Sequence, residues 1–193
     1  MLTGVHDSVS VLLFNVDRQQ FVFVRQFRPP VFVHRVLKAA KVDKLEQVEK
    51  WEDFDLELGM TVELCAGLAD KENKSVEEVA LEEVLEECGY RLPSVGSLQF
   101  ITTMLRGVGL LSAKEHLFYA ELDNSMLDAN HGGGNTSEQE NIELIYCDIE
   151  RAREMTYEPE LNRHPGFCMA IQWFLLHRVD HFMGGKHDGT LYT

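Results

Sequence analysis

The acidic segment at residues 75–89 holds the side chains whose spacing is most suggestive of chemistry. It reads SVEEVALEEVLEECG, and Glu83 and Glu87 lie four positions apart within it. At about 100° per residue in a helix, that spacing puts both carboxylates on one face, beside small apolar residues. Two like charges so placed repel each other, and partial burial increases the cost. A divalent cation would reverse the balance, because hard cations prefer carboxylate oxygens.

From this spacing alone, two interpretations remain open. The pair could hold a metal ion whose open side binds a phosphate group. It could also belong to a solvated acidic helix face, which is common in Glu-rich helices. Three other glutamates of the segment, Glu78, Glu82 and Glu86, fall on the opposite side of the helical wheel. We predict that this side faces solvent.

The helix that must position these carboxylates has clear predicted ends. Ser75 and Glu78 are spaced as a capping box at its start. Gly89 stands where a helix-terminating glycine is expected. Ahead of the helix, residues 60–65 predict a strand and residues 67–74 predict a polar loop.

The remaining elements predict an α/β or α+β fold. Further strands are expected at residues 98–103, 116–122 and 142–148, short helices at 150–156 and 167–179, and a hairpin at 8–15 and 20–27 that ends at Pro29-Pro30. Residues 34–55 are charged and predict an exposed helical or irregular excursion outside the core. Residues 123–137 contain three consecutive glycines and predict a mobile loop. Strands interleaved with helices favour a mixed sheet.

Length and composition predict one soluble domain. The 193 residues carry a net charge of −14, and we assign residues 1–180 to the domain and 181–193 to a tail. An acidic protein is a poor partner for nucleic acid and for anionic membranes. The four cysteines are widely spaced and lie in apolar stretches, which indicates reduced core thiols and a cytoplasmic location.

Several segments together resemble the Nudix hydrolase family. Residues 67–90 resemble the Nudix box, and residues 63–67 resemble the strand that enters it. RQFRP at 25–29 and EQENI at 138–142 are similar to segments of the nucleotide-sugar and ADP-ribose pyrophosphatases. With HDSVSVLLFN at the start and GVGL at 107–110, the chain is most similar to the UDP-sugar (UDP-glucose) pyrophosphatase subgroup. Glu82 replaces the arginine of the box, which removes a cation that would orient the metal-binding carboxylates.

The resemblance implies a fold, a metal and a substrate class. The fold is a mixed sheet sandwiched between helices, and the substrate is a nucleoside diphosphate sugar. Mg²⁺, with Mn²⁺ as an alternative, would be held by Ala66 (through its carbonyl), Glu83, Glu86, Glu87 and Glu140. Glu138 would activate the attacking water, with Glu83 and Glu87 as the other catalytic residues. Arg28, Glu63 and Gly109 would contact the substrate, and the family implies a homodimer.

Two alternatives to UDP-glucose hydrolysis stay open. An ADP-ribose pyrophosphatase would use the same chemistry to give AMP and ribose 5-phosphate, and Glu63 and the loop at 105–115 would decide between these substrates. A catalytically impaired Nudix-fold protein would bind nucleotides without turnover. The replacement of the box arginine by Glu82 is the feature that favours this second alternative.

Overall fold

The predicted hairpin lies at the centre of a seven-stranded mixed sheet. The computed structural model describes residues 6–107, 112–134 and 141–182. Within them, β1 (Ser8–Asn15) and β2 (Gln20–Phe27) pair antiparallel through the register Phe14 to Phe21. Their bounds agree with the prediction, because a polar turn separates two β-branched, apolar runs.

The other strands extend the sheet on both sides of this hairpin. The main path runs in the order β3-β2-β1-β6-β5, and β4 and β7 pair with β1 and β2 respectively. β1 and β6 run parallel, whereas the other pairs are antiparallel. The bounds are Met60–Glu63 for β3, Cys65–Leu68 for β4, Gln99–Leu105 for β5, Lys114–Leu122 for β6 and Glu143–Asp148 for β7.

The single strand predicted at residues 60–65 is wrong, because two strands meet there. β3 pairs with β2, and β4 pairs with β1. Leu64, which is buried, separates them. The chain therefore moves from pairing with β2 to pairing with β1 at Leu64, although the sequence around Leu64 looks like one continuous apolar strand. β4 then continues through Gly67 into the segment predicted as a loop.

Helices cover both faces of the sheet. α2 (Val76–Cys88) packs on one face with the core that contains Val9, Val11 and Leu13. α3 (Ile149–Met155), α4 (Pro165–His177) and α5 (Val179–Phe182) contribute to the core on the other face, with Leu12 and Phe14. Successive β1 residues point to opposite faces, and all eight are buried. The predicted sheet between helices is therefore confirmed.

The segment after β2 is more ordered than the sequence predicts. α1 (Pro29–Ala40) starts at Pro29, where a missing N–H costs nothing in the first helical turn. Three short 3₁₀ turns follow before β3, at Leu45–Gln47, Trp51–Asp53 and Leu56–Gly59. Across the described ranges, no helix combines the length and the apolar character that a bilayer crossing requires.

The glycine-containing segment predicted as a mobile loop is anchored along its described part, residues 123–134. Asp128 N donates to Gly89 O at 2.8 Å, and Gly133 N donates to Glu87 O at 3.0 Å. Gly132 has a φ of +98° and its Cα lies against Gly89, where a side chain on either residue would clash. This segment therefore packs on the carboxyl end of α2.

Candidate active site

The ends of α2 are fixed as the sequence predicts. Ser75 Oγ accepts a hydrogen bond from Glu78 N at 3.2 Å, and Ser75 N donates to the Glu78 carboxylate at 2.7 Å. Gly89 has a φ of +71° and its N–H bonds back to Leu85. Both ends of the helix satisfy orphan backbone groups locally, so the rotation of the carboxylates between them is fixed.

Glu87 is held against the strand that precedes the helix. It is 2% exposed, and its Oε2 accepts a hydrogen bond from Ala66 N at 2.9 Å. A buried carboxylate is costly unless it is hydrogen-bonded or bound to a cation. The Ala66 contact thus aligns Glu87 with the residue whose carbonyl the family resemblance assigns to the metal.

Glu83 lies directly over Gly67 in β4. A Cβ built on Gly67 would come 2.1 Å from Glu83 Cδ and 2.3 Å from its Oε1. A side chain at position 67 would therefore force the Glu83 carboxylate to move away from the strand. Gly67 therefore has a steric function, because it lets the Glu83 carboxylate reach the strand surface.

Glu82 occupies the position of the box arginine and is paired with two lysines. Lys71 Nζ lies 2.9 Å from one Glu82 oxygen, and Lys74 Nζ contacts the other. Hydrogen bonding from Lys74, together with Lys71, lowers the pKa of Glu82 despite its partial burial. Lys71 Nζ also lies 4.0 Å from Glu83 Oε1. A cation is therefore present beside the predicted metal carboxylates, although it comes from the loop.

The predicted solvent-facing side of α2 is only partly exposed. Glu78 is exposed, but Glu82 and Glu86 are half-buried. Glu86 lines the cavity beside Glu83. The helical wheel misplaces Glu86 because it ignores β4 and the preceding loop, which rise beside this face of the helix.

Glu83 and Glu86 line a cavity of about 770 Å³ between α2, β4 and the start of α4. Its volume suits a ligand of nucleotide size. Its acidic lining residues are Asp70, Glu63, Glu83, Glu86 and Glu115; its basic ones are Arg28, Lys71, Arg106, Arg163 and His164. The mixture of charges can bind an anion on one side and a cation on the other.

Arg28 and Glu63, both predicted to contact substrate, are bound to each other. Arg28 Nε and Nη2 donate to the two Glu63 oxygens, each at 2.8 Å. Burial raises the pKa of Glu63, but the hydrogen bonds and charge of Arg28 lower it more, so the net pKa lies below its usual value. This bidentate pair fixes the plane of the guanidinium group.

Sequence reasoning missed a buried carboxylate at the inner end of the cavity. Glu115 is 4% exposed, and its Oε1 accepts a hydrogen bond from Ser10 Oγ at 2.6 Å. Its Oε2 has no hydrogen-bond partner among the described residues, with His164 Nδ1 at 3.5 Å. The alternation of side chains along the strand could have revealed that Glu115 is buried. Glu115 lies on the same face of β6 as Leu117 and Tyr119, which are buried.

The residues present fit a divalent cation, although the described part of the chain does not hold a complete ligand set. No group of three or more histidine, cysteine, aspartate or glutamate side chains is arranged as a metal site within residues 6–107, 112–134 and 141–182. Glu83 and Glu86 nevertheless line one wall of the cavity, beside the buried Glu87. Oxygen donors of this kind suit Mg²⁺.

Three of the predicted site residues lie outside the described residues: Gly109, Glu138 and Glu140. The described residues before the last two are bound to α2, because Gly134 N donates to Glu86 O at 3.2 Å. The residues after them are also close, since Ile142 N donates to Gly133 O at 3.0 Å.

Comparisons with known proteins decide the family. No protein-family model matches the chain. A uridine diphosphate glucose pyrophosphatase, NUDT14 of Mus musculus, is 37% identical over 183 residues, which are 91% of this chain and 81% of the mouse protein. The Bos taurus NUDT14 is 38% identical over 176 residues, covering 88% and 78%. The chain belongs to the Nudix hydrolase family.

This Nudix hydrolase has further relatives at lower identity. A GDP-mannose pyrophosphatase of Pectobacterium atrosepticum is 32% identical over 149 residues, covering 77% of this chain and 63% of that protein. A crystal structure of an ADP compounds hydrolase aligns with a TM-score of 0.57 at 15% identity, over 92% of this chain and 75% of the other. That likeness establishes the Nudix fold, and the resemblance inferred from the sequence is confirmed.

Proposed function

We propose that this Nudix hydrolase cleaves the diphosphate of a nucleoside diphosphate sugar, with UDP-glucose as its substrate. The products are UMP and glucose 1-phosphate. The observation that carries the proposal is the position of Glu83 on α2, at the wall of a nucleotide-sized cavity, with the buried Glu87 one helical turn further along and bound to Ala66 N. The identity of 37–38% to two UDP-glucose pyrophosphatases supports the choice of substrate.

We further propose that Mg²⁺ is the cofactor, with Mn²⁺ as a substitute. Glu83, Glu86, Glu87, Glu140 and the Ala66 carbonyl would hold it. When bound, it would neutralise the diphosphate and lower the pKa of a coordinated water. The support from this chain is the cost of gathering carboxylates at a half-buried site, which a cation offsets.

The protein residues then have separate tasks. Glu138 accepts a proton from the attacking water, which a carboxylate near a neutralised phosphate can do. Arg28 binds a phosphate or ribose oxygen, and Glu63 holds its guanidinium group in one orientation. Gly109 contributes a backbone contact to the substrate. Anchoring of Gly133 and Gly134 to α2 supports the assignment of Glu138 and Glu140 to the same site.

The test is a product assay on the purified protein with Mg²⁺. UDP-glucose, GDP-mannose and ADP-ribose are compared at equal concentration, and nucleoside monophosphate and sugar phosphate are quantified. We expect the largest kcat/KM for UDP-glucose and no turnover in EDTA. Faster cleavage of ADP-ribose would support the same hydrolytic chemistry but would make ADP-ribose the preferred substrate in place of UDP-glucose. Binding without turnover of any of the three would contradict the enzyme activity itself.

The control for the site is Glu87→Gln. Its amide oxygen can still accept the hydrogen bond from Ala66 N, so the fold is retained. Loss of a charged metal ligand should lower kcat by at least about a hundredfold, measured in the same product assay with circular dichroism as the check on folding. A folded variant with wild-type turnover would remove Glu87 from the site.

We also propose a homodimer that acts in the cytoplasm on this small-molecule substrate and does not bind nucleic acid. The net charge of −14 supports the last point. All four cysteines are free, and three of them are buried, which supports a reducing compartment. Light scattering at several protein concentrations tests the dimer.

A further inference from the structure

The carboxylate of Glu115 leaves one buried acceptor unused beside a histidine of the cavity. Glu115 Oε1 is bound by Ser10, while Oε2 is buried and lacks a hydrogen bond from any described residue. A buried charged oxygen in this state costs more than a neutral one, and a native protein that keeps it usually has a use for it. The nearest candidate donor is His164 Nδ1, at 3.5 Å.

The His164 side chain caps the start of α4. Its Nδ1 accepts a hydrogen bond from Gly166 N at 3.1 Å, so this nitrogen presents a lone pair to Glu115 and not a proton. Gly166 makes the close approach possible, because a Cβ there would lie 2.9 Å from Glu115 Oε1. His164 Nδ1 and Glu115 Oε2, which lie 3.5 Å apart, therefore face each other as two hydrogen-bond acceptors.

The opposite edge of the ring is open to the cavity. His164 lines the cavity and 44% of its side chain is exposed. Because Nδ1 is turned towards Glu115, Nε2 is the nitrogen left for a ligand. Outside α2 and the loop before it, the charged residues that line the same cavity are Glu115 on β6, Glu63 on β3, Arg28 after β2, Arg106 after β5 and Arg163 before α4.

We propose that His164 binds a phosphate oxygen of the substrate as an imidazolium ion, and that Glu115 is the positioning residue that stabilises it. On binding, one proton from solvent adds to Nδ1 and replaces the hydrogen bond that Nδ1 accepts from Gly166 N. Nδ1–H then donates to Glu115 Oε2, while Nε2–H donates to the phosphate. The Nδ1 to Oε2 distance shortens to about 2.8 Å, the usual length of a charge-assisted bond. The imidazole ring suits this use, because it changes charge near neutral pH.

This inference deepens the proposed function, because it assigns a phosphate contact in the same cavity. The contact would lie on the α4 side, whereas the proposed metal carboxylates lie on α2. Arg106 supports an anion here, since its guanidinium group makes no hydrogen bond or ion pair with other described residues. The diphosphate would then be bound between a metal-binding wall and a cationic wall.

The test follows the His164 ring by NMR at pH 7.5 in EDTA, which prevents turnover. The probes are inorganic pyrophosphate and UDP-glucose, and His164→Gln identifies the Cε1–H signal. We expect both probes to move this signal towards the imidazolium position. Glu115→Gln, which keeps the contact with Ser10, should abolish that movement and weaken binding of each probe about tenfold. His116→Gln is the matched control, since His116 neighbours Glu115 but does not line the cavity.

The outcomes separate this inference from the proposed substrate. If pyrophosphate moves the His164 signal and UDP-glucose does not bind, the anion contact stands and the proposed substrate fails. If both probes bind equally well to wild type, His164→Gln and Glu115→Gln, the contact does not exist. A His164 signal that stays at its neutral position while the probes bind would also overturn it.

Discussion

At the scale of single residues, the Arg28–Glu63 pair links the cavity to stability. Arg28 is bound through two nitrogens, and the Glu63 side chain is 18% exposed. Removing one partner of such a pair leaves the other charge buried without its counter-ion. The pair therefore helps to hold the end of β2 against β3, and both of its residues line the cavity.

We predict that Arg28→Met lowers the free energy of unfolding by about 1–3 kcal/mol at pH 7. The pKa of Glu63 in the folded protein lies below its usual value, so its contribution is complete above the unfolded value of about 4.3 and is lost as pH falls through the lower folded value. The cost of Arg28→Met should accordingly shrink at pH 3. Urea unfolding at both pH values measures it.

Arg25→Met, on the strand β2 that precedes Arg28, is the control for that measurement. Arg25 pairs with Glu57 and Glu143, each 64% exposed. Exposed pairs contribute about 0–1 kcal/mol, so this variant should cost less than Arg28→Met. Equal costs at pH 7 would mean that the burial of Glu63 has no energetic effect.

Glycine at position 67 is a second residue-scale requirement. We predict that Gly67→Ala displaces Glu83, because the new Cβ would overlap its carboxylate. Activity should fall by about tenfold or more while the helix remains folded. Gly96→Ala is the control, since among the described residues its Cβ would meet only Ser94 Oγ, at 3.4 Å. A Gly67→Ala variant as active as Gly96→Ala would show that Glu83 needs no access to β4.

At the scale of elements, the loop between β4 and α2 supplies the cation that the Nudix box lacks. Lys71 contacts Glu82 and approaches Glu83, whereas Lys74 contacts Glu82. Burial lowers the pKa of Lys71, but its bonds with Glu82 and the nearby carboxylates raise it above the usual value. Glu82 thus holds a lysine of the loop close to Glu83.

We predict that Lys71→Met lowers kcat/KM about tenfold, equivalent to about 1.4 kcal/mol of transition-state stabilisation. The reason is that Lys71 alone of the two lysines lines the cavity. Lys74→Met is the matched control and should change kcat/KM less than about twofold, as expected for a solvent-exposed pair. Steady-state kinetics on UDP-glucose compares the two variants. Equal effects on kcat/KM would show that Lys71 has no specific role in the site.

Elements with local signals could be predicted from the sequence, and those set by distant contacts could not. The capping box and Gly89 define α2 within fifteen residues, and the β1–β2 hairpin depends on one polar turn. The division into β3 and β4 at Leu64 depends on the pairing of each strand with β2 or β1. These partners are distant in sequence, so no local pattern predicts the division. The same reasoning applies to the site, because Glu83 and Glu87 follow from helical spacing, whereas Glu115 and His164 meet only through the fold.

At the scale of the whole molecule, the net charge of −14 makes a bound cation a stabilising ligand. We predict that saturating Mg²⁺ raises the free energy of unfolding, by about 2.7 kcal/mol at a hundredfold excess over its Kd. Thermal unfolding across a Mg²⁺ series measures it. Glu87→Gln should remove most of this gain, and in EDTA it should be at least as stable as wild type. An equal gain in stability for the wild type and Glu87→Gln would show that Mg²⁺ acts by binding elsewhere on the acidic surface.

The parallel pairing of β1 with β6 has a consequence for how the chain folds during synthesis. β1 is buried on both faces, yet its partner at residues 114–122 leaves the ribosome long after it. Until then a continuous apolar strand has one open edge, and such edges promote aggregation. Non-local parallel pairing also slows folding. Nascent chains stalled before residues 114–122 have left the ribosome should therefore bind chaperones, whereas chains in which these residues have emerged can close the centre of the sheet.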